Sequence, residues 1–133
     1  MASELKVNTL TGVSTAGSIA VTAEGNSTTT NLQQGLAKCW CTVTQASTHV
    51  LDDSFNVSGI ADGGPGETTV NFTNTMSSSN WCSNVTSGSE NNIRGIFNAN
   101  NTTRLKIESY QISSNSTAAD AADVCGTVHG DLA

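Results

Sequence analysis

Residues 37–45 read AKCWCTVTQ, and their alternation decides the fold. In an extended chain successive side chains point to opposite faces. Cys39, Cys41 and Val43 therefore share one face, and Trp40, Thr42 and Thr44 share the other. The same two-residue period recurs on the C-terminal side. Residues 54–60 (SFNVSGI) set Phe55 and Val57 alike, and residues 68–73 (TTVNFT) align Val70 with Phe72. Further strands are predicted over 80–87, 93–98 and 105–113, with a closing strand over 124–129. In 105–113, Leu105, Ile107, Ser109 and Gln111 face away from Lys106, Glu108, Tyr110 and Ile112. Residues 61–67 (ADGGPGE) gather Asp, Gly and Pro into the clearest hairpin connection, and 118–123 reads as a loop or single helical turn. Short strands at this spacing predict an all-β chain with an antiparallel β-sandwich, jelly-roll-like, over residues 37–133.

Upstream of residue 37 the texture is different. Leu5 and Val7 alternate with Lys6 and Asn8, residues 12–17 read as a turn, and Ile19 and Val21 share a face. Residues 23–30 (AEGNSTTT) hold almost nothing to bury, and 31–35 suit a brief helical turn. Two short strands with so few large apolar side chains cannot bury a core of their own. They either add to the later sheet or dock on another chain. The expectation is an extended N-terminal docking segment, residues 1–36, with Leu5, Val7, Ile19 and Val21 as candidate anchors.

Composition supports this division. Of 133 residues 36% are hydrophobic, 5% aromatic and 12% charged, while Ser, Thr and Asn supply roughly 50. Low charge separates the chain from disordered sequences, and the scarcity of strong helix formers separates it from helical bundles. A net charge of −6 with five Lys and Arg argues against nucleic acid and anionic membranes as partners. No apolar run is long enough for a spanning helix, so no membrane insertion is expected. The opening MASELKVNTL has an early acid and no apolar stretch, unlike a secretory signal.

The candidate chemistry is sparse. On a strand, Cys39 and Cys41 project about 7 Å apart, too far to bond to each other. Three readings of the four cysteines stand open: small buried residues, cross-strand disulfides from Cys39 and Cys41 to Cys82 or Cys125, or a metal site. The spacing of His49 and His129 does not favour the last, and no metal or other cofactor is expected. Trp40 and Trp81 each sit beside a cysteine and read as core or interface anchors. A sugar-stacking platform is the sharper alternative and requires exposed rings. There is no G-x-S-x-G elbow, His129–Asp131 reads as a strand end, and Asp52, Asp53, Asp62 and Glu67 do not form an evident acid pair. Calcium at those acids lacks the usual loop spacing. The seven N-x-S/T sites, including Asn56, Asn71 and Asn84, are expected by chance in so Asn- and Ser-rich a chain. No catalytic residue is assigned.

Taken in order, ASELKVNTL, AKCWCTV, LDDSFNVSGIADGGPGETTVNFTNTM, SSSNWC and VHGDLA resemble small tail fibre or virion structural proteins of tailed phages of the marine or cyanobacterial type. The resemblance covers most of the chain. It departs from the family pattern at the cysteines, where small or β-branched residues are more usual. It implies a non-enzymatic virion component made in the host cytoplasm and placed on the phage tail. Residues 1–36 would fasten to other tail or baseplate proteins. The β domain would form a homotrimer and meet a host cell-surface glycan or protein through polar loops at 61–67, 88–92, 98–103 and 115–123. A trimeric capsid decoration (cement) protein is the alternative.

Overall fold

The structure is a computed structural model describing residues 4–12, 19–22, 28–88, 101–111 and 117–133. The chain divides into two compact units, Met1–Leu36 and Ala37–Ala133. The boundary falls where the Ser- and Thr-rich leader meets the alternating AKCWCTVTQ stretch.

In the first unit, β1 (Ala20–Thr22) pairs antiparallel with β2 (Thr29–Asn31), Val21 opposite Thr30. Asn31 then starts the four-residue helix α1 (Leu32–Gly35). Its side-chain oxygen accepts from the amides of Gln33 at 2.8 Å and Gln34 at 3.3 Å, the usual work of an N-cap. The helical turn expected over 31–35 is therefore present. The strand expected over 5–10 is not: residues 4–12 pair with nothing in the described sheets and lie exposed. No described residue of this unit is buried.

The second unit holds β3 (Cys39–Thr44), β4 (Val50–Phe55), β5 (Val57–Gly64), β6 (Glu67–Phe72), β7 (Cys82–Ser87), β8 (Arg104–Glu108), β9 (Tyr110–Gln111), β10 (Thr117–Ala118) and β11 (Val124–His129). These build a four-stranded sheet, β4-β3-β11-β7, a three-stranded sheet, β5-β6-β8, and a small β10-β9 pair, all antiparallel. The inward residues of both larger sheets meet in one core. Cys39, Cys41, Val43, Val124 and Val128 come from the first; Val70, Phe72, Leu105 and Ile107 come from the second. The two layers approach closely at Gly126. A methyl placed there would stand 3.2 Å from Leu105 Cδ2 and 3.5 Å from Ile107 Cδ1. Trp81 closes the core edge-on against Phe72 and donates its indole N–H to the Asn101 carbonyl at 3.0 Å.

Between β4 and β5 the chain passes from one sheet to the other at a single residue. The single strand expected over 54–60 is two strands, β4 and β5, broken at Asn56, which takes a left-handed φ of 59°. Its Nδ2 donates to the carbonyls of Lys38 at 2.9 Å and Asn74 at 3.1 Å, and its Oδ1 accepts from the Asn74 amide at 2.7 Å. Asn tolerates this conformation and fastens the corner with its own amide. The expected strand over 105–113 likewise breaks, at Ser109. The expected hairpin at 61–67 is tighter than its sequence suggested. Strands β5 and β6 run nearly to its tip, leaving Pro65 and Gly66 as the turn. The strand expected over 93–98 and the turn over 12–17 fall largely or wholly outside the described residues. Among the described residues, no helix is long and apolar enough to cross a membrane.

Candidate functional site

Register defines the outer face of the four-stranded sheet. Phe55 is opposite Trp40, Trp40 opposite Thr127, and Thr127 opposite Asn84. Directly opposed residues project to one side, so these four make a continuous row across all four strands. The next row is Asp53, Thr42, Cys125 and Thr86. Trp40 is 37% exposed and Phe55 51%, although Cys39 and Cys41, the neighbours of Trp40 along β3, lie in the core. The two tryptophans thus separate: Trp81 is a core anchor at 6% exposure, and Trp40 belongs to the outer surface. An exposed pair of rings bordered by hydroxyls, an amide and one carboxylate can stack and hydrogen-bond, and the two rows carry no lysine or arginine.

The cysteines follow the same alternation. Cys39 and Cys41 point into the core, while Cys82 and Cys125 lie exposed on the outer face, and all four are free thiols. The sheet itself stands between the two pairs. This corrects the disulfide reading: joining Cys39 or Cys41 to Cys82 or Cys125 would need a bond through the sheet. Burial pushes the Cys39 thiol up to about 12 and Cys41 to about 11, so both remain protonated and inert at neutral pH. Among the described residues, no group of three His, Cys, Asp or Glu is placed to hold a metal ion.

A second cluster lies beneath the β5–β6 turn. Gln45 Nε2 donates to Thr68 Oγ1 at 2.9 Å. Thr68 Oγ1 also lies 2.9 Å from His49 Nδ1, and the ring's Nε2 faces Asp120 Oδ1 at 3.3 Å, with Asp62 Oδ1 at 3.7 Å. Asp120 also accepts the Gly66 amide at 2.6 Å. Ser109 Oγ stands 2.8 Å from Gln45 Oε1 and 3.3 Å from the Gly66 carbonyl, with the Ala119 carbonyl also in reach. Hydroxyl, imidazole and carboxylate occur here in series, but the ring is reversed relative to a hydrolytic triad, which sets the nucleophile on Nε2. Thr68 is wholly buried and already holds Gln45. The cluster therefore ties the segment after β3, the β5–β6 turn and the chain before β11 together.

The N-terminal anchors have a distinct environment. Leu5, Val7 and Val21 are exposed, as are Leu10 and Leu36, and Ile19 is half-buried. Sequence periodicity marked Trp40 as facing away from Cys39 and Cys41, but not as exposed. It also placed Ser109 with Leu105 and Ile107, and the same parity sets Thr68 with Val70 and Gln45 with Val43. That was the available signal for the buried cluster. Most of the expected loop at 88–92 and parts of 98–103 and 115–123 lie outside the described residues. No family model matches the chain, and neither the curated proteins nor the solved structures contain a match.

Proposed function

We propose that this chain is a non-enzymatic virion structural protein of the phage tail fibre kind. In place of the trimer contact expected of the β domain, this reading puts assembly as a trimer on the N-terminal unit, which also docks on a tail or baseplate neighbour, and Ala37–Ala133 is presented to the host surface. The observation that carries this reading is the state of the first unit. Leu5, Val7, Leu10, Val21 and Leu36 are all more than half exposed, and no described residue there is buried. Such a segment gains its stability by covering those side chains with another surface. The second unit, with two sheets around one core, fits a self-sufficient sandwich. A jelly-roll-like arrangement is the finer form of the same reading, supported by the chain crossing between sheets at Asn56.

The test is deletion of residues 1–30 from the gene of a phage that carries it. The expected result is a folded β domain, retaining its antiparallel signature by circular dichroism, that is missing from purified particles. Normal incorporation of the truncated chain would refute the docking role. Stoichiometry then separates tail from capsid: small multiples of three place the protein on the tail, and hundreds of copies make it a cement protein.

A further inference from the structure

We propose that the outer face of the four-stranded sheet is a stacking platform for an uncharged glycan, seated on Trp40 and Phe55. Asn84, Thr127, Thr42 and Asp53 would take its hydroxyls. The proposal rests on the host-facing reading only for where such a glycan comes from.

The two rings are cross-strand partners, so they lie side by side on neighbouring strands. Adjacent strands are about 4.8 Å apart, close to the width of one sugar ring. The C–H face of a pyranose is apolar and weakly positive, which suits the negative face of an aromatic ring. Its rim of hydroxyls both donates and accepts. Thr127 and Asn84 extend the aromatic row, and Thr42 and Asp53 lie in the next, supplying hydroxyl, amide and carboxylate partners at the level of the rings. Neither row carries a lysine or arginine. With Asp53 on the face and a net charge of −6, an anionic polysaccharide is repelled, which selects a neutral one.

Area decides against a second copy of the chain as the occupant. A stable interface takes about 800 Å² from each partner around an apolar centre. Rings of this size carry about 200 Å² each, and at 37% and 51% exposure they offer roughly a fifth of that area, to which the half-exposed Val50, opposite Thr44 on the same face, adds a smaller apolar side chain. The remainder of both rows is mainly hydroxyl, amide and carboxylate. The aromatic ridge is the right size for one or two sugar rings.

The experiment titrates the full chain with neutral hexasaccharides of β-glucan, mannan and N-acetylglucosamine, with an alginate hexamer as the anionic control. Binding is read by calorimetry and by the Trp40 indole resonance. At least one neutral hexamer is expected to bind and shift that resonance, while alginate does not. Trp40→Ala should weaken binding about tenfold, Phe55→Ala by less, and Trp40→Phe should recover part of the loss. The Trp81 resonance and urea midpoint serve as the check of folding. Should Trp40→Ala fail to fold, Phe55→Ala and Asn84→Ala carry the same readout. Silence from every neutral hexamer overturns the proposal, as does unchanged binding by the folded variants. Conversion of a trimer to single copies by Trp40→Ala would make the face a subunit contact and also overturn it. Particle incorporation is scored separately: a sugar-binding chain absent from virions sinks the virion reading alone, and a virion chain blind to every hexamer sinks this one alone.

Discussion

Asn56 does two jobs with one side chain. It holds the left-handed backbone that turns the chain from one sheet into the other, and its amide bonds Lys38 and Asn74 across that corner. Alanine loses both, so Asn56→Ala should cost about 2–4 kcal/mol in urea unfolding. Glycine loses only the hydrogen bonds, and Asn56→Gly should be milder by about 1 kcal/mol. Equal losses would show that the corner backbone carries no strain. Glu108 provides a pH handle. The Tyr110 hydroxyl at 2.7 Å, and then the Lys106 ammonium at 2.9 Å, hold its carboxyl below the usual range. Its contribution is therefore fully present above the ordinary carboxylate value and is lost as pH falls through the lower folded value. Glu108→Gln should flatten the acid side of the stability profile between pH 5 and pH 3, measured by urea midpoints. The effect should be small, about 1 kcal/mol or less, because the network is open to solvent.

At the scale of the strand, alternation was the readable feature wherever a strand had one wet and one buried face. It gave the inward set Cys39, Cys41 and Val43, the pair Val70 and Phe72, and Leu105 with Ile107. It failed at β4, where LDDSF carries exposed acids at a sheet edge and Asp52 is the extra residue of a bulge opposite Thr42 and Val43. It failed again at residues 5–7, which alternate well but pair with no strand among the described residues. Periodicity reports a preference for pairing, and only a neighbour supplies the pair. The buried hydroxyl and amide cluster was hidden for another reason. Polar residues at inward positions look like errors of pattern until their partners, distant in sequence, are seen. The division of thiols by face gives a direct check. A thiol reagent at pH 8 should titrate two cysteines in the native chain, Cys82 and Cys125, and four in guanidinium. The native count should be the same without reductant. Fewer than four in denaturant would reveal a disulfide that this register forbids.

Ala37–Ala133 is a unit with a closed core, and among the described residues of the leader none is buried. In Ala37–Ala133, every described buried side-chain polar atom has a partner and the apolar side chains of two sheets enclose each other. In Met1–Leu36, the described elements are one short helix and a pair of three-residue strands, and Leu5, Val7, Leu10, Val21 and Leu36 are exposed. Small units of this kind fold marginally unless another surface completes them. In the proposed reading assembly falls to the leader, and the sheet face carrying Trp40 and Phe55 takes the ligand. Sedimentation equilibrium of the full chain beside residues 37–133 tests that division most directly. The full chain is expected at three times its own mass, and residues 37–133 as a folded single copy with an unchanged urea midpoint. A full-length single copy, with the amides of residues 4–12 protected from exchange, would contradict it.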